Sequence, residues 1–277
     1  MKRVLTVLVA SVIFAALGYG QILFTAKLDG SQENPPITTA ASGTGTFVLN
    51  SAGTSLTYNI TVNGLTMTAA HFHNATAGIN GGVVKNLTFT NNTASGVWSS
   101  SDASQPLSDS LFSELLRGRL YVNVHTSANP GGEIRGQVLF AAPVGFSAKL
   151  EGAQENPPVS TTAGGTASVT LGTNGSVTYD VTVTGLTPTA SHFHNAPAGT
   201  NGGVVKNITL ANNASSGTWS SGDASQPLTD ALLRELVRGR LYANAHTSAN
   251  PGGEIRGQVQ LNTGASFTAK LDGNQEN

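Results

Sequence analysis

Histidine is the residue type in this sequence whose spacing most clearly predicts chemistry. The six histidines form two triplets, each made of a His-x-His pair and a third histidine further along: His71, His73 and His125, then His192, His194 and His246. Imidazole nitrogen is a common metal ligand, and three imidazoles that leave one position open suit zinc or copper. The triplets therefore predict one metal site, for copper or zinc, in each half of the chain.

An alternating pattern around these histidines predicts which way they point. Residues two apart in a strand share a face, at a spacing of about 6.5–7 Å. His71 and His73 therefore share one face, and Phe72 lies on the other. In the strand predicted at 120–125, His125 lies opposite the apolar side. We expect all three side chains to lie outside the core and to converge on one ion; histidines that hold loops by hydrogen bonds, or that form a pH-responsive interface, are the alternatives.

Other polar and aromatic residues fit structural roles better. Glu133 and Arg135 share a strand face and predict an ion pair at a strand edge. Glu33 stands before two prolines and is a candidate for a fourth metal ligand or for an acceptor beside the ligands. Trp98 and Trp219 lie in apolar strands and predict core positions. The sequence lacks a glycine-rich phosphate loop, a GxSxG motif and carboxylates paired as acid and base.

Composition narrows the function classes further. Of 277 residues, 10% are charged and the formal net charge is -1, so the chain has no cationic surface that would hold a nucleic-acid backbone. Hydrophobic residues make up 39% of the chain, which is enough for a packed core. Without cysteine, the chain has no disulfides, no thiolate metal sites and no cysteine nucleophile. Abundant Gly, Thr, Ser and Val favour short strands joined by tight turns.

The histidines lie in an internal repeat. The segment 125–137 returns unchanged at 246–258. The period, about 120 residues, is much longer than that of a solenoid unit, so each copy is predicted to be a complete domain. We place the domains at residues 22–141 and 145–262, with a short linker at 140–144. The copies differ in length by one residue, at a predicted hairpin tip.

Each copy predicts an all-β domain. Alternating segments of the first copy predict strands at 46–49, 56–62, 82–89, 96–98, 120–125 and 133–138. One helix is predicted between Ser108, which can cap it, and Gly118, and its counterpart is predicted between Thr229 and Gly239. About six to eight short strands and one helix in each copy predict tandem antiparallel β-sandwiches or Greek-key barrels.

The two ends of the chain have signatures of their own. Lys2 and Arg3 precede an apolar run at 4–17, so residues 1–20 predict a secretory signal peptide rather than a membrane anchor. The mature chain would be secreted, to the extracellular space or the periplasm, with no membrane span after cleavage. Residues 263–277 repeat the opening of each domain. They predict either a truncated third copy or a free strand for self-association.

The motifs of each copy resemble those of the CHRD domain family, which is named from chordin. The resemblance rests on Gln32 to Pro36, Ala70 to Asn74 and Leu120 to Gln137, with their counterparts in the second copy. It implies an immunoglobulin-like β-barrel with limited similarity to copper–zinc superoxide dismutase, and no settled biochemical activity. In chordin, these domains belong to an extracellular protein that sequesters growth factors.

These features predict an exported, non-enzymatic binding or structural module with a three-histidine metal site in each domain. Its predicted partners are a metal ion, an extracellular protein or both, and not a nucleic acid. The alternative is a copper-dependent oxidoreductase of superoxide dismutase type, so whether the chain is an enzyme stays open. The likeness to the dismutase fails in detail, because each copy has only three histidines and no convincing second set of metal ligands.

Overall fold

The structure is a computed structural model that describes residues 20–262. The predicted signal peptide, apart from Gly20, and the predicted third copy at 263–277 lie outside the described residues and stay predictions. Within the described residues, neither helix is long and apolar enough to cross a membrane. The described chain forms two similar all-β domains in tandem.

Each domain contains nine strands and one α-helix within residues 20–262. In the first domain the elements are β1 (Gln21–Asp29), β2 (Ser42–Asn50), β3 (Ser55–Asn63), β4 (Met67–Asn74), β5 (Gly82–Asn86), β6 (Thr93–Ser99), α1 (Asp109–Leu116), β7 (Leu120–Thr126), β8 (Ile134–Gln137) and β9 (Leu139–Phe140). In the second domain they are β10 (Val144–Glu151), β11 (Gly164–Leu171), β12 (Val177–Thr184), β13 (Ala190–Asn195), β14 (Gly203–Asn207), β15 (Ala214–Trp219), α2 (Asp230–Val237), β16 (Leu241–His246), β17 (Ile255–Gln258) and β18 (Gln260–Leu261).

Each domain is one antiparallel sheet that curls on itself. In the first domain the strand order is β5-β4-β7-β8-β1-β2-β3-β6, and the short β9 pairs with β1. The second domain has the same order. The two ends of the order meet, because Lys85 of β5 forms an ion pair with Asp102 just after β6. This architecture confirms the predicted all-β fold class with one short helix in each domain.

The core fills the inside of each curled sheet. Phe72 of β4 stacks on Trp98 of β6, with ring centroids 5.2 Å apart, and meets Phe47 of β2 edge-on. Residues from distant places in the strand order therefore touch inside the domain. Trp98 and Trp219 are buried, which confirms their predicted core positions. Because the apolar side of β4 faces this core, His71 and His73 must lie on the other side.

Local sequence determines where the helices begin and end. The Ser108 hydroxyl accepts a hydrogen bond from the Leu111 backbone N–H at the start of α1, and Thr229 caps α2 in the same way. Gly118 and Gly239 follow the helices with positive φ angles, a conformation that glycine adopts without steric cost. Both helices lie where the sequence predicted them.

The connection between the domains is shorter than predicted. Phe140 belongs to β9 and stacks on Phe24 of β1 with ring centroids 4.5 Å apart. Val144 begins β10. Only residues 141–143 lie between the two strands, so the predicted linker was too long at both ends. Since β1 pairs with β8 only at Asp29, the rest of that edge is open, and the short β9 fills it.

Candidate metal centre

Strands β4 and β7 place the three histidines of the first domain side by side. The strands are antiparallel neighbours, with His71 opposite Asn123 and His73 opposite Tyr121. His125 lies two residues beyond Asn123, so it shares the face of the other two histidines. The structure brings together the three residues that the sequence singled out.

The imidazole nitrogens of this triplet converge. One ring nitrogen of each histidine lies within 4.8 Å of the other two, so a common point exists roughly 3 Å from all three, against bond lengths of about 2.0–2.1 Å for zinc. Nδ1 of His71 and Nε2 of His125 are 3.1 Å apart. Small inward movements of the rings would bring all three nitrogens to bonding distance of one ion.

Backbone carbonyls orient two of the rings. Nδ1 of His73 lies 2.9 Å from the carbonyl oxygen of Gly81, and Nδ1 of His125 lies 3.0 Å from that of Pro130. Because a carbonyl only accepts, both Nδ1 atoms donate and both Nε2 atoms keep a lone pair when the rings are neutral. Metal-bound histidines are commonly held in this way. The Nε2 atom of His73 is buried and has no hydrogen-bond partner in the described part of the chain.

The second domain repeats this geometry. Nδ1 of His192 lies 3.1 Å from Nε2 of His246. Nδ1 of His194 and of His246 each lie 3.0 Å from a carbonyl oxygen, that of Gly202 and that of Pro251 respectively. Nε2 of His194 is again buried, with no partner among residues 20–262. The chain therefore carries two equivalent three-histidine groups.

Burial favours the neutral form of these histidines. Loss of surrounding water lowers the pKa of His71, His73 and His125 below the ordinary histidine value, and the neighbouring imidazoles lower that of His71 further. The same causes lower the pKa values of the histidines in the second domain. Since the neutral ring is the form that binds a metal, protons compete less with an ion at neutral pH.

Loops cover the histidine face: the histidines lie outside the apolar core, as predicted, and are nevertheless largely buried. Every residue of β7 is buried, on both faces of the strand. His73 and His125 are 8% and 9% exposed although they point away from the apolar core. The loop at 76–81 holds the His73 ring through the carbonyl of Gly81, and the turn at 127–132 holds the His125 ring through the carbonyl of Pro130. Alternation predicts the side of a strand, but it carries no signal for a covering loop.

A buried polar layer packs beside the histidines. Tyr121 stacks on His73, with ring centroids 5.0 Å apart. The guanidinium of Arg135 lies 3.5 Å from the centre of the Tyr121 ring. Its two terminal nitrogens donate to backbone carbonyls of the loop at 76–81. Arg135 therefore holds the loop that leads to the carbonyl orienting His73.

The predicted ion pair between Glu133 and Arg135 is wrong. Glu133 accepts hydrogen bonds from Thr126 and Asn129 at the turn after β7, whereas Arg135 reaches the loop at 76–81. Strand β8 also lies between β7 and β1 and is not an edge. The two charged residues form hydrogen bonds with different loops: Glu133 with the turn after β7, and Arg135 with the loop at 76–81. Each loop contains polar groups that need a partner.

Glu33 lies beside Asn123 rather than in the histidine triplet. It is 6% exposed, and Nδ2 of Asn123 donates to its Oε2 over 3.4 Å. Its Oε1 and the Oδ1 of Asn123 are both buried without a partner in the described chain. Burial raises the pKa of Glu33 to about 7, against the opposing effect of the Arg135 cation. A proton on Oε1 would turn this atom from an acceptor into a donor.

Sequence reasoning missed the roles of two residues in this site, Tyr121 and Asn123. Tyr121 and Asn123 alternate with the apolar residues of β7, which places them on the histidine face, but nothing in the sequence shows that Asn123 meets Glu33 or that Tyr121 supports Arg135. The available signal was the repetition of these residue types in both copies. The contacts of Asn123 with Glu33 and of Tyr121 with Arg135 form only when distant segments of the chain come together.

Fold and site together define a class of protein: tandem curled β-sheet domains, each with a three-histidine group set in a buried polar layer. The family model of the CHRD domain matches residues 24–138 and 146–259. The chain therefore belongs to the CHRD domain family, which confirms the resemblance of its motifs.

Two chordins are among the similar curated proteins. Chordin of Danio rerio is 30% identical over 160 residues, and chordin of Xenopus laevis is 31% identical over 160 residues. Each match covers 53% of this chain and 17% of the relative. The similarity thus concerns a small part of each chordin.

Proposed function

We propose that this chain is an exported, non-enzymatic binding module whose two CHRD domains each hold one copper or zinc ion. The ligands are the histidine triplets: His71, His73 and His125 in the first domain, and His192, His194 and His246 in the second. An ion with three protein ligands keeps one position open. A side chain of an extracellular partner protein can occupy that position.

The observation that carries the proposal is the unpartnered Nε2 of His73. The Gly81 carbonyl fixes this ring, so that its buried lone pair belongs to the group formed with His71 and His125. Nδ1 of His71 can satisfy Nε2 of His125 by donating its proton, but the His73 atom still lacks a donor. A buried acceptor without a partner is costly, and an ion at the common point would satisfy all three nitrogens.

The extracellular role is supported by the family and by the N-terminal segment. The resemblance to chordin implies an extracellular binding domain, and residues 1–20 predict a signal peptide. The formal net charge of -1 and the buried positions of the arginines in the polar layer favour a protein partner over a nucleic acid.

Metal stoichiometry tests the proposal. The mature chain is stripped with a chelator, dialysed against Zn²⁺ or Cu²⁺, and its bound metal is measured. We expect one equivalent for each triplet. His73→Ala should remove one equivalent and leave the other, because the groups lie in different domains. His73→Ala combined with His194→Ala should abolish binding.

The matched control is Thr57→Ala, an exposed position on β3, which should keep both equivalents. Uptake should also weaken below about pH 6, because the ligands must lose their protons before they bind. A parent chain that takes up no ion contradicts the proposal, as does a His73→Ala variant that binds as much metal as the parent.

The superoxide dismutase alternative gains no support from the site or the comparisons. In residues 20–262 each domain has one group of three metal-ligating side chains. A superoxide assay on the metal-loaded chain separates the two functions. Bound metal without turnover favours the binding module, and fast turnover would favour the oxidoreductase.

A further inference from the structure

The two domains meet through the faces that carry α1 and α2. Arg117, just after α1, donates from Nε to Oδ1 of Asp230 over 2.9 Å. Arg238, just after α2, forms an ion pair with Asp109. Asp109 and Asp230 occupy equivalent positions in the two copies, and so do Arg117 and Arg238. The two ion pairs are therefore reciprocal, as in an interface with two-fold symmetry.

Two equivalent turns complete this symmetry. Nη1 of Arg117 donates to the carbonyl of Gly175, in the turn between β11 and β12, over 3.0 Å. Nε of Arg238 donates to the carbonyl of Ala52, in the turn between β2 and β3, over 3.2 Å. The two arginine side chains are only 10% and 18% exposed, whereas their partners Asp230 and Asp109 are 49% and 59% exposed. Water therefore screens the charges of the two ion pairs in part, and the symmetry of the contacts, rather than the strength of each pair, defines this interface.

The symmetry breaks at two pairs of positions. The Arg238 guanidinium lies 5.5 Å from the ring centre of Phe112, whose counterpart in the second domain is Leu233. The second pair places a cation on one side only. Ser113 of α1 corresponds to Arg234 of α2. Nη1 of Arg234 donates to the Ser113 hydroxyl across the interface, and its Nε lies 3.6 Å from Oδ2 of Asp109. Ser113 is buried. Its small side chain leaves the space that the arginine occupies.

We propose that this face is a heterotypic pairing surface for CHRD domains, on which Ser113 and Arg234 decide which domains pair. Two first domains would bring Ser113 against Ser113 and leave a gap. Two second domains would bring two Arg234 guanidiniums together, and their repulsion would oppose association. Only a first domain against a second domain places one cation against a hydroxyl and Asp109.

The partner that fits each face is the domain of the other type, and every chain carries one of each. Only residues 141–143 connect β9 of the first domain to β10 of the second. A linker this short gives the second domain a high effective concentration at the face of the first. The chain therefore pairs its own domains. Because the contacts across the face do not involve the linker, we expect the pairing to survive a cut in the linker at sufficient protein concentration.

The test uses the full chain with a protease recognition sequence inserted at 141–143. After cleavage, the two halves should elute together in size-exclusion chromatography at low micromolar concentration. Arg234→Ser should weaken the association of the cut halves by about tenfold or more, the effect expected when a close charged contact across an interface is lost. The control is Arg119→Glu, whose partner Glu114 lies in the same domain; it should leave the association unchanged.

A swap of the two residues tests the pairing rule itself. Ser113→Arg alone brings two arginines together and should weaken the association. Ser113→Arg combined with Arg234→Ser moves the arginine to the first domain, where it faces a serine and Asp230, and should restore association. Parent halves that separate after cleavage would overturn the proposal. So would an Arg234→Ser variant that binds as tightly as the parent, or a swap no tighter than Ser113→Arg alone.

Discussion

The two domains differ in their cores far more than in their histidine faces. Four large buried side chains of the first domain have smaller buried counterparts in the second: Phe47 becomes Val169, Phe112 becomes Leu233, Val122 becomes Ala243 and Val124 becomes Ala245. By contrast, the residues at 125–137, which include the third histidine and Arg135, are the same in both copies.

This difference shows that the two faces of each sheet obey different constraints. A core needs apolar volume packed without gaps, and several combinations of side chains can supply it. The histidine face needs particular atoms at hydrogen-bonding distance. Arg135 and Arg256 each lie over a tyrosine ring, at 3.5 and 3.4 Å from its centre. Few residues could replace the arginine and keep both its contact with the tyrosine ring and its hydrogen bonds to the neighbouring loop.

The largest effect is expected from the tryptophan that both cores retain. Trp98→Ala should lower the free energy of unfolding by about 3–5 kcal/mol, because it leaves a large cavity among buried aromatic rings. Urea unfolding followed by far-UV circular dichroism measures the loss. The fluorescence of Trp219, then the one remaining tryptophan, reports whether the second domain unfolds with the first. A loss below about 1 kcal/mol would show that the core face is wrongly assigned.

A smaller effect is expected where the cores differ. Val122→Ala removes two methylene equivalents from the first core and should cost about 1.5–2.5 kcal/mol. The reverse change in the second domain, Ala243→Val, should also cost about 1–3 kcal/mol, because its neighbours are packed around the smaller side chain. The same unfolding measurement checks both changes. If Ala243→Val raised stability, the second core would contain unfilled space, and the two cores would not be equally well packed.

The polar face is tested through pH, and its effect per pH unit is the smallest of the three. Because burial raises the pKa of Glu33 to about 7, the folded chain binds this proton more tightly than the unfolded chain. Its contribution to stability is full below the unfolded pKa and is lost as pH rises towards 7, at no more than about 1.4 kcal/mol per pH unit. Glu33→Gln should remove this dependence. The unfolding free energy of the variant minus that of the parent should therefore rise between about pH 5 and 7.

Glu133→Gln provides a control of opposite sign. Hydrogen bonds from Thr39 and Asn129 lower the pKa of Glu133, so its stabilising contribution is present at higher pH and is lost as pH falls. The histidines, whose pKa values are also lowered, lose their contribution in the same direction in every variant. Subtracting the parent curve therefore isolates each glutamate. Glu155 has the same raised pKa of about 7, and Glu155→Gln should reproduce the Glu33→Gln result.

Much of the fold followed from short-range patterns. Alternation located the strands and placed Phe72 opposite His71 and His73, because a strand directs successive side chains to opposite faces. Ser108 and Gly118 located α1, because caps and positive φ angles depend on neighbouring residues. Two predictions failed: the ion pair between Glu133 and Arg135, and the bounds of the linker. Both depend on which strands pair, which a short-range pattern does not show.

The sequence by itself determined that the chain is a tandem of two all-β domains and that each domain carries three histidines, two of them on one face of a strand. These properties depend on residue type, period and repetition, which a chain displays before it folds. Only the tertiary structure decided that loops bury the histidine face, that Glu33 meets Asn123, and that Arg234 of one domain fits over Ser113 of the other. Those contacts join residues far apart in the chain, and their energies depend on distances and burial that no local pattern encodes.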